Sequence, residues 1–346
     1  MPDMHLVATF AEQFAACAVT PGEVAVVLCE RTSRRELVDT SLAALTHLGA
    51  HPALVEVATP AASTPVPVRS TGASHAMAGH RAAIAACANA GFVVDCTVEG
   101  LLHAPELGAI LAGGARVLMV SNEHPEVFGR VATDKALADR VAAHLSRLRA
   151  AATMHVASPA GTDLTIALAG AVCAGSDGTV TRAGDIAHWP GGLVLAFPAA
   201  GTVDGTLVLA PGDVNLTFKE YVRTPVRCSV VADRIESIDG DGLDAELFES
   251  YLAAWGEADA YAVSHVGWGL NEACRWEALA MYDKSDTNGT ELRAFAGNFL
   301  YSTGANEVAG RFAAGHFDLP MRHCTITLDG TPVITDGRLD RSVCLR

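Results

Sequence analysis

The sequence predicts an α/β protein in two parts. Residues 1–152 read as a Rossmann-like domain, a mostly parallel sheet with helices on both faces, and residues 153–346 as an α+β domain rich in antiparallel strands. Three observations carry this prediction. The first 150 residues alternate short apolar runs with helical stretches, and a βαβα order implies a parallel sheet covered by helices. From about residue 153 the texture changes to short strand-like runs separated by Gly, Pro and Asp, the pattern of a largely antiparallel region. A chain of 346 residues is also longer than the roughly 250–300 residues at which single cores stop growing.

In chain order, Val24–Cys29 is an apolar run suited to a buried parallel strand. Ser33 with Glu36 forms a capping box that opens a helix ending at Gly49, and Pro52–Val57 follows as a strand. Residues 58–76, ATPAASTPVPVRSTGASHA, read as a long connecting loop. Arg81–Ala90 is an Ala-rich helix, Phe92–Cys96 a strand, and Arg116–Val120 another strand after the Gly113-Gly114 turn. Thr133 then caps a helix on which Leu137, Val141, Leu145 and Leu148 recur at helical spacing. No GxGxxG follows the first strand, so a dinucleotide site is not expected. In the second part Leu164–Leu168, Leu193–Phe197, Thr206–Leu209, Val214–Phe218 and Val226–Val231 read as strands, interrupted by one amphipathic helix, Asp244–Trp255.

Composition excludes several functions. A formal net charge of −15 with no basic run argues against nucleic acid and anionic membranes, because phosphate binding needs a surplus of Lys and Arg. No apolar run approaches the roughly 20 residues of a membrane span. The opening MPDMHLVATFAEQFAAC has no cationic region before its apolar stretch, so it is not read as a signal peptide. Nine scattered cysteines without a CxxC are expected to be buried small hydrophobes in a reducing cytoplasm.

Three side chains near the C-terminus carry the chemistry: His265 in AVSHVGWGLN, and His316 and Asp318 in GHFDLP. Two imidazoles and a carboxylate make the facial triad that holds Fe(II) on one face and leaves the other positions open to oxygen and substrate. In an extended segment i and i+2 share a face, so His316 and Asp318 reach one metal while Phe317 points into apolar packing. Pro320 disfavours a long helix there. The bare triplet is equally compatible with structural histidines.

Longer motifs extend this reading. LLHAPE (101–106), HWPGG (188–192), GTLVLAPGD (205–213), FKEY (218–221), SHVGWGL (264–270), RAFAGNFLYSTG (293–304) and HFDLPMRHC (316–324) occur in one order over most of residues 100–330. In these stretches the chain resembles the 2,5-dihydroxypyridine 5,6-dioxygenases of bacterial nicotinate degradation, which are related in fold to a thermophilic metalloaminopeptidase family. The resemblance implies Fe(II) held by His265, His316 and Asp318, and a ring opened with both atoms of O2 to give N-formylmaleamate. It also implies a small aromatic N-heterocycle as substrate, a homo-oligomer, and site roles for His103 and His188 as proton carriers. Leu102 is expected as an apolar wall against the ring, Ser302 and Thr303 as hydroxyl donors to its substituents, and Asn298 as a brace for a ligand. His323 and Trp268 are expected to be structural. The aminopeptidase relatives carry glutamates where Leu193 and His265 stand; leucine binds no metal, and a histidine in place of a bridging carboxylate suits a single N,N,O site.

One stretch departs from the resemblance. The dioxygenases hold substrate with a glutamate before HWP, where this chain has CAGSDGTV, with Ser176 at the matching position and Asp177 beside it. The substrate is therefore expected to be 2,5-dihydroxypyridine or a closely related hydroxylated N-heterocycle. Two other readings stand beside the dioxygenase: a metal-dependent hydrolase or aminopeptidase, and an Fe(II) oxygenase with another oxidative outcome. Metal count and product mass separate the three.

Overall fold

The computed structural model describes residues 3–59, 75–284, 287–340 and 343; most of the expected 58–76 connection lies outside them. The first sheet has five strands in the order His51–Val57, Val24–Glu30, Phe92–Asp95, Arg116–Met119, Ile186–His188, all parallel. Its central strands are buried from Ala25, Phe92 and Arg116 onward, as continuous apolar runs such as AVVLC require. Helices Met4–Ala16 and Arg35–His47 cover one face, and Arg81–Ala88 with Leu107–Ala112 the other. The fifth strand comes from the second half of the chain, well past the change of texture near residue 153.

The second half builds two large antiparallel sheets and a two-stranded one, Val214–Asn215 with Glu220–Tyr221. One large sheet has eight strands, in the order Arg234–Asp239, Val226–Val231, Val203–Leu209, Asp163–Ala167, Thr153–Ala157, Thr325–Leu328, Thr331–Thr335, Arg338–Leu339. The other has five, in the order Arg311–Met321, Phe299–Asn306, Val263–Gly269, Leu193–Phe197, Val172–Ser176. Met154, Val156, Leu164 and Ile166 of the larger sheet share one core with Val266, Trp268, Tyr301, Phe317 and Leu319 of the smaller, sealed by helices Lys135–Ala150 and Leu243–Ala254. Phe317 is fully buried there against Phe248 and Tyr251, with ring centroids 4.7 and 4.9 Å away. Trp268 is buried and donates its indole N–H to His144 at 3.1 Å, a structural contact, whereas His323 is exposed beside Asp336.

Three local expectations are corrected. Ser33 does not cap the helix at 35–47: its hydroxyl accepts from Glu30 N at 2.8 Å and closes the turn after the strand, and the cap position, Arg34, makes no side-chain cap. Asp134, and not Thr133, caps the helix Lys135–Ala150, accepting from Leu137 N at 2.7 Å, because a carboxylate is the stronger acceptor and Thr133 is engaged with Asp177 O. The strand expected over 214–218 is only Val214–Asn215, since Asn215 Oδ1 accepts from Phe218 N and turns the chain.

Candidate active site

Two elements of the five-stranded antiparallel sheet place the triad. His316 and Asp318 lie on the edge strand Arg311–Met321, two apart and on one face, opposite the face that buries Phe317. His265 lies two strands away in Val263–Gly269, where the register against Phe299–Asn306 shifts between Val263 and Val266. A bulge of this kind re-aims the side chains within it, and here it turns His265 toward the edge strand. Between them Ser302 stands directly opposite Asp318. Gly304, opposite His316, has φ +110°, and a Cβ there would meet Gly315 O at 2.0 Å, so only glycine lets these strands approach.

The result is a compact buried cluster. His316 Nε2 is 3.2 Å and His265 Nε2 3.7 Å from Asp318 Oδ1, and one ligand atom from each residue lies within 4.8 Å of the others. It is the metal-ligating group found among the described residues. The contact with Ser264 selects the tautomer of His265 that suits a metal ligand. Ser264 donates its hydroxyl to Ala305 O and so accepts at Oγ from His265 Nδ1, 3.1 Å away, leaving the Nε2 lone pair toward Asp318. Ser302 gives its one hydroxyl proton to Asp318 Oδ1 and stands 3.0 Å from Nε2 without a proton left to donate to it. Burial pushes Asp318 upward, but Arg293, whose Nε donates to Oδ2 at 2.6 Å, and His316 outweigh it and hold the acid well below the usual carboxylate range. Burial keeps His265 neutral. An ionised carboxylate and a neutral imidazole with its lone pair directed inward are the donor set that a divalent metal ion requires.

The first sheet supplies the opposite wall. Its strands end at Asp95, Met119 and His188, and ligands collect beyond the carboxyl ends of such strands. His188 and Met119 line the site cavity from these ends, with Glu99, Leu102 and His103 from the loop after Asp95. Asp95 clamps that loop: Oδ1 accepts from Thr97 N and Oγ1 at 2.9 and 2.6 Å, and Oδ2 from Leu101 N at 2.8 Å. The His103 and His316 rings lie 4.9 Å apart. Burial lowers His103 to about 3, with the neighbouring His316 adding to the effect, and burial with Arg293 lowers His188 to about 4. Both are therefore neutral proton acceptors at pH 7. His188 Nδ1 is buried with no protein partner, as expected of a group that meets a ligand. Leu102, Leu193, Leu195 and Leu300 complete an apolar slot of about 60 Å³.

The other expected residues are placed as follows. Ser302 sits among the ligands, and Leu102 lines the slot. Ser176 lines an adjoining cavity of about 420 Å³ that shares Leu102, His188, Leu193 and Leu195 with the slot. Asp177 Oδ1 is taken by Thr179 N and Oγ1, both at 2.8 Å, within its own turn. Thr303 is buried opposite Phe317, on the other face from Ser302. Asn298 braces the helix Thr290–Ala294, donating to Arg293 O at 2.8 Å, and does not touch a ligand. Arg293 was missed in the sequence because the motif RAFAGNF carries no spacing that marks its arginine; Asp95 was missed because an acid ending an apolar strand reads as a boundary.

The chain matches the family model for 2,5-dihydroxypyridine 5,6-dioxygenase over residues 5–341. It is 37% identical over 264 residues to the 2,5-dihydroxypyridine 5,6-dioxygenase of Pseudomonas putida, covering 76% of this chain and 74% of that protein. The chain belongs to the 2,5-dihydroxypyridine 5,6-dioxygenase family. A solved structure of 2,5-dihydroxypyridine dioxygenase from Pseudomonas putida superposes with a TM-score of 0.92 at 32% identity, covering 99% of this chain and 98% of that one. Wild-type AmpT from Thermus thermophilus shares the fold, with a TM-score of 0.66 at 14% identity over 97% of this chain and 99% of that one. The relation to an aminopeptidase fold expected from the sequence is thus present, and the mixed parallel and antiparallel architecture agrees with that of the dioxygenase structure.

Proposed function

We propose that this protein is an Fe(II)-dependent dioxygenase that opens 2,5-dihydroxypyridine between C5 and C6 to N-formylmaleamate. The observation that carries the reading is the buried His265, His316 and Asp318 cluster, facing two neutral histidines across an apolar slot, in a chain of this family. The three residues would hold the iron, which supplies the one-electron chemistry that lets O2 react with the ring. The leucine slot holds the flat ring and excludes water, so the reactants meet in a fixed geometry. His103 and His188 take up the proton of the ring hydroxyl and return one during cleavage, a role suited to imidazoles uncharged at neutral pH. Ser302 orients the Asp318 carboxylate beside His265. Asp177 is held in its own turn and Thr303 lies on the other face of its strand from Ser302, so neither takes part.

Atoms balance if both oxygens of one O2 enter: C5 becomes a carboxylate and C6 a formamide carbonyl. A two-metal hydrolase is disfavoured because Leu193, buried in the slot wall, offers no ligand. No described helix is long and apolar enough to cross a membrane, and we read the protein as a cytoplasmic homo-oligomer acting on a small N-heterocycle and O2. The test is anaerobic loading with Fe(II), then 2,5-dihydroxypyridine and O2, with oxygen uptake and product mass measured. One O2 consumed per ring with the mass of both atoms in the product is expected. Turnover without oxygen uptake, or with one atom retained, would refute it.

A further inference from the structure

Arg293 stands beside the triad with part of its guanidinium uncommitted. Nε donates to Asp318 Oδ2 at 2.6 Å, and among the described residues Nη1 and Nη2 have no hydrogen-bond partner. The side chain lines the slot and is 18% exposed. Its carrier is rigid: the helix Thr290–Ala294 begins where Glu123 accepts from Thr290 N, is tied by the Arg130–Glu291 ion pair at 2.9 Å, and ends where Asn298 binds Arg293 O.

Charge then indicates what the fork meets. The charged groups lining the slot are Arg293, Asp318 and Glu99. A divalent ion on the triad leaves the slot with a surplus of positive charge, which an ionised ring oxygen neutralises. A guanidinium stays protonated and presents several donors in one plane, so it reads an oxygen by position as well as by charge.

We infer that Arg293 is the specificity residue for the second ring oxygen: its terminal N–H groups bind the oxygen of the dihydroxylated ring that does not face the triad. The inference rests on the function proposed above and narrows it to rings with two oxygens set across from each other. One residue then grips a metal ligand through Nε and the substrate through Nη.

The test uses zinc-loaded protein, which binds without turnover, titrated with 2,5-dihydroxypyridine and with 3-hydroxypyridine, which lacks the oxygen at position 2. Wild type, Arg293→Gln and Arg293→Lys are compared, with metal content and Tm measured for each. Wild type is expected to prefer the dihydroxylated ring about tenfold to hundredfold. Arg293→Gln should lower that preference to near unity while keeping its affinity for 3-hydroxypyridine. Should Arg293→Gln lose the metal, Arg293→Lys, a charge without the planar fork, carries the comparison and is expected to lose a large part of the preference. Full preference in metal-loaded variants overturns the inference and leaves the proposed function standing. A wild-type protein that binds neither ring overturns both.

Discussion

Ser264→Ala is expected to weaken metal binding about 10–100-fold while leaving the fold and the activity at saturating metal in place. Ser264 is fully buried, and its hydroxyl is the link between Ala305 O and His265 Nδ1. Removing it leaves one buried acceptor and one buried donor unpaired, a cost of about 1–3 kcal/mol each. Set against a typical stability of roughly 5–15 kcal/mol, that loss lowers Tm without unfolding the chain. The larger effect is tautomeric. Without Oγ the ring proton is free to occupy Nε2, where it competes with the cation, and each 1.4 kcal/mol of lost bias costs about tenfold in affinity. Anaerobic titration of metal-free protein with Fe(II) against a competing chelator reads the change, and kcat at saturating iron serves as the control. Ser264→Thr, which restores a hydroxyl, should recover most of the affinity. An unchanged metal Kd in Ser264→Ala would refute the tautomer assignment.

His103→Ala and His188→Ala should keep metal and lose about 10²–10⁴-fold in kcat, as for a missing proton carrier; normal kcat/KM in either returns that histidine to packing. His144, 1% exposed, is lowered to about 4 by burial, then by Arg147 and Arg140, and accepts from Trp268 in its neutral form. A histidine depressed from an unfolded value of about 6.5 contributes stability that is present above that pH and is lost as pH falls toward 4, up to roughly 3 kcal/mol. Denaturant midpoints should therefore fall over that window in wild type and less steeply in His144→Gln, and parallel curves would remove His144 from the effect. Asp177→Ala should lower Tm through its turn without changing substrate KM. Ser176→Glu, beside His188 in the adjoining cavity, should tighten 2,5-dihydroxypyridine about tenfold or more if a carboxylate there reaches a ring donor; kcat/KM on a panel of hydroxypyridines decides both.

Much of the architecture was legible because periodicity reports burial. Val24–Cys29 is apolar throughout and is a central parallel strand, while Leu164 and Ile166 alternate with exposed neighbours in an antiparallel one. The i, i+2 spacing of His316 and Asp318 put both on one face, and Phe317 went to the core. Three things were hidden. Capping depends on which of several polar side chains faces the first turn, and Ser33 and Thr133 lost that competition to a tighter turn and a neighbouring acid. Ile186–His188 is too short to announce which sheet it joins, since a three-residue pairing is settled by its neighbours. The distance from Arg293 to Asp318 exists only once a helix and an edge strand have been packed together.

That short fifth strand has a consequence for how the enzyme takes in its reactants. It belongs to the second half of the chain yet is hydrogen-bonded into the first sheet, pairing Ile186, Ala187 and His188 with Val117, Leu118 and Met119. A clam-like opening of the two halves would have to break this ladder and pull His188 away from the slot it lines. Admission must then work at the scale of single side chains and loops, with the wall around Leu102 yielding while the frame stays still. Amide exchange at Ala187 should accordingly stay as slow as in the central strands even during steady turnover, with the faster-exchanging amides at Leu102 and His103, beyond the Leu101 amide that Asp95 clamps.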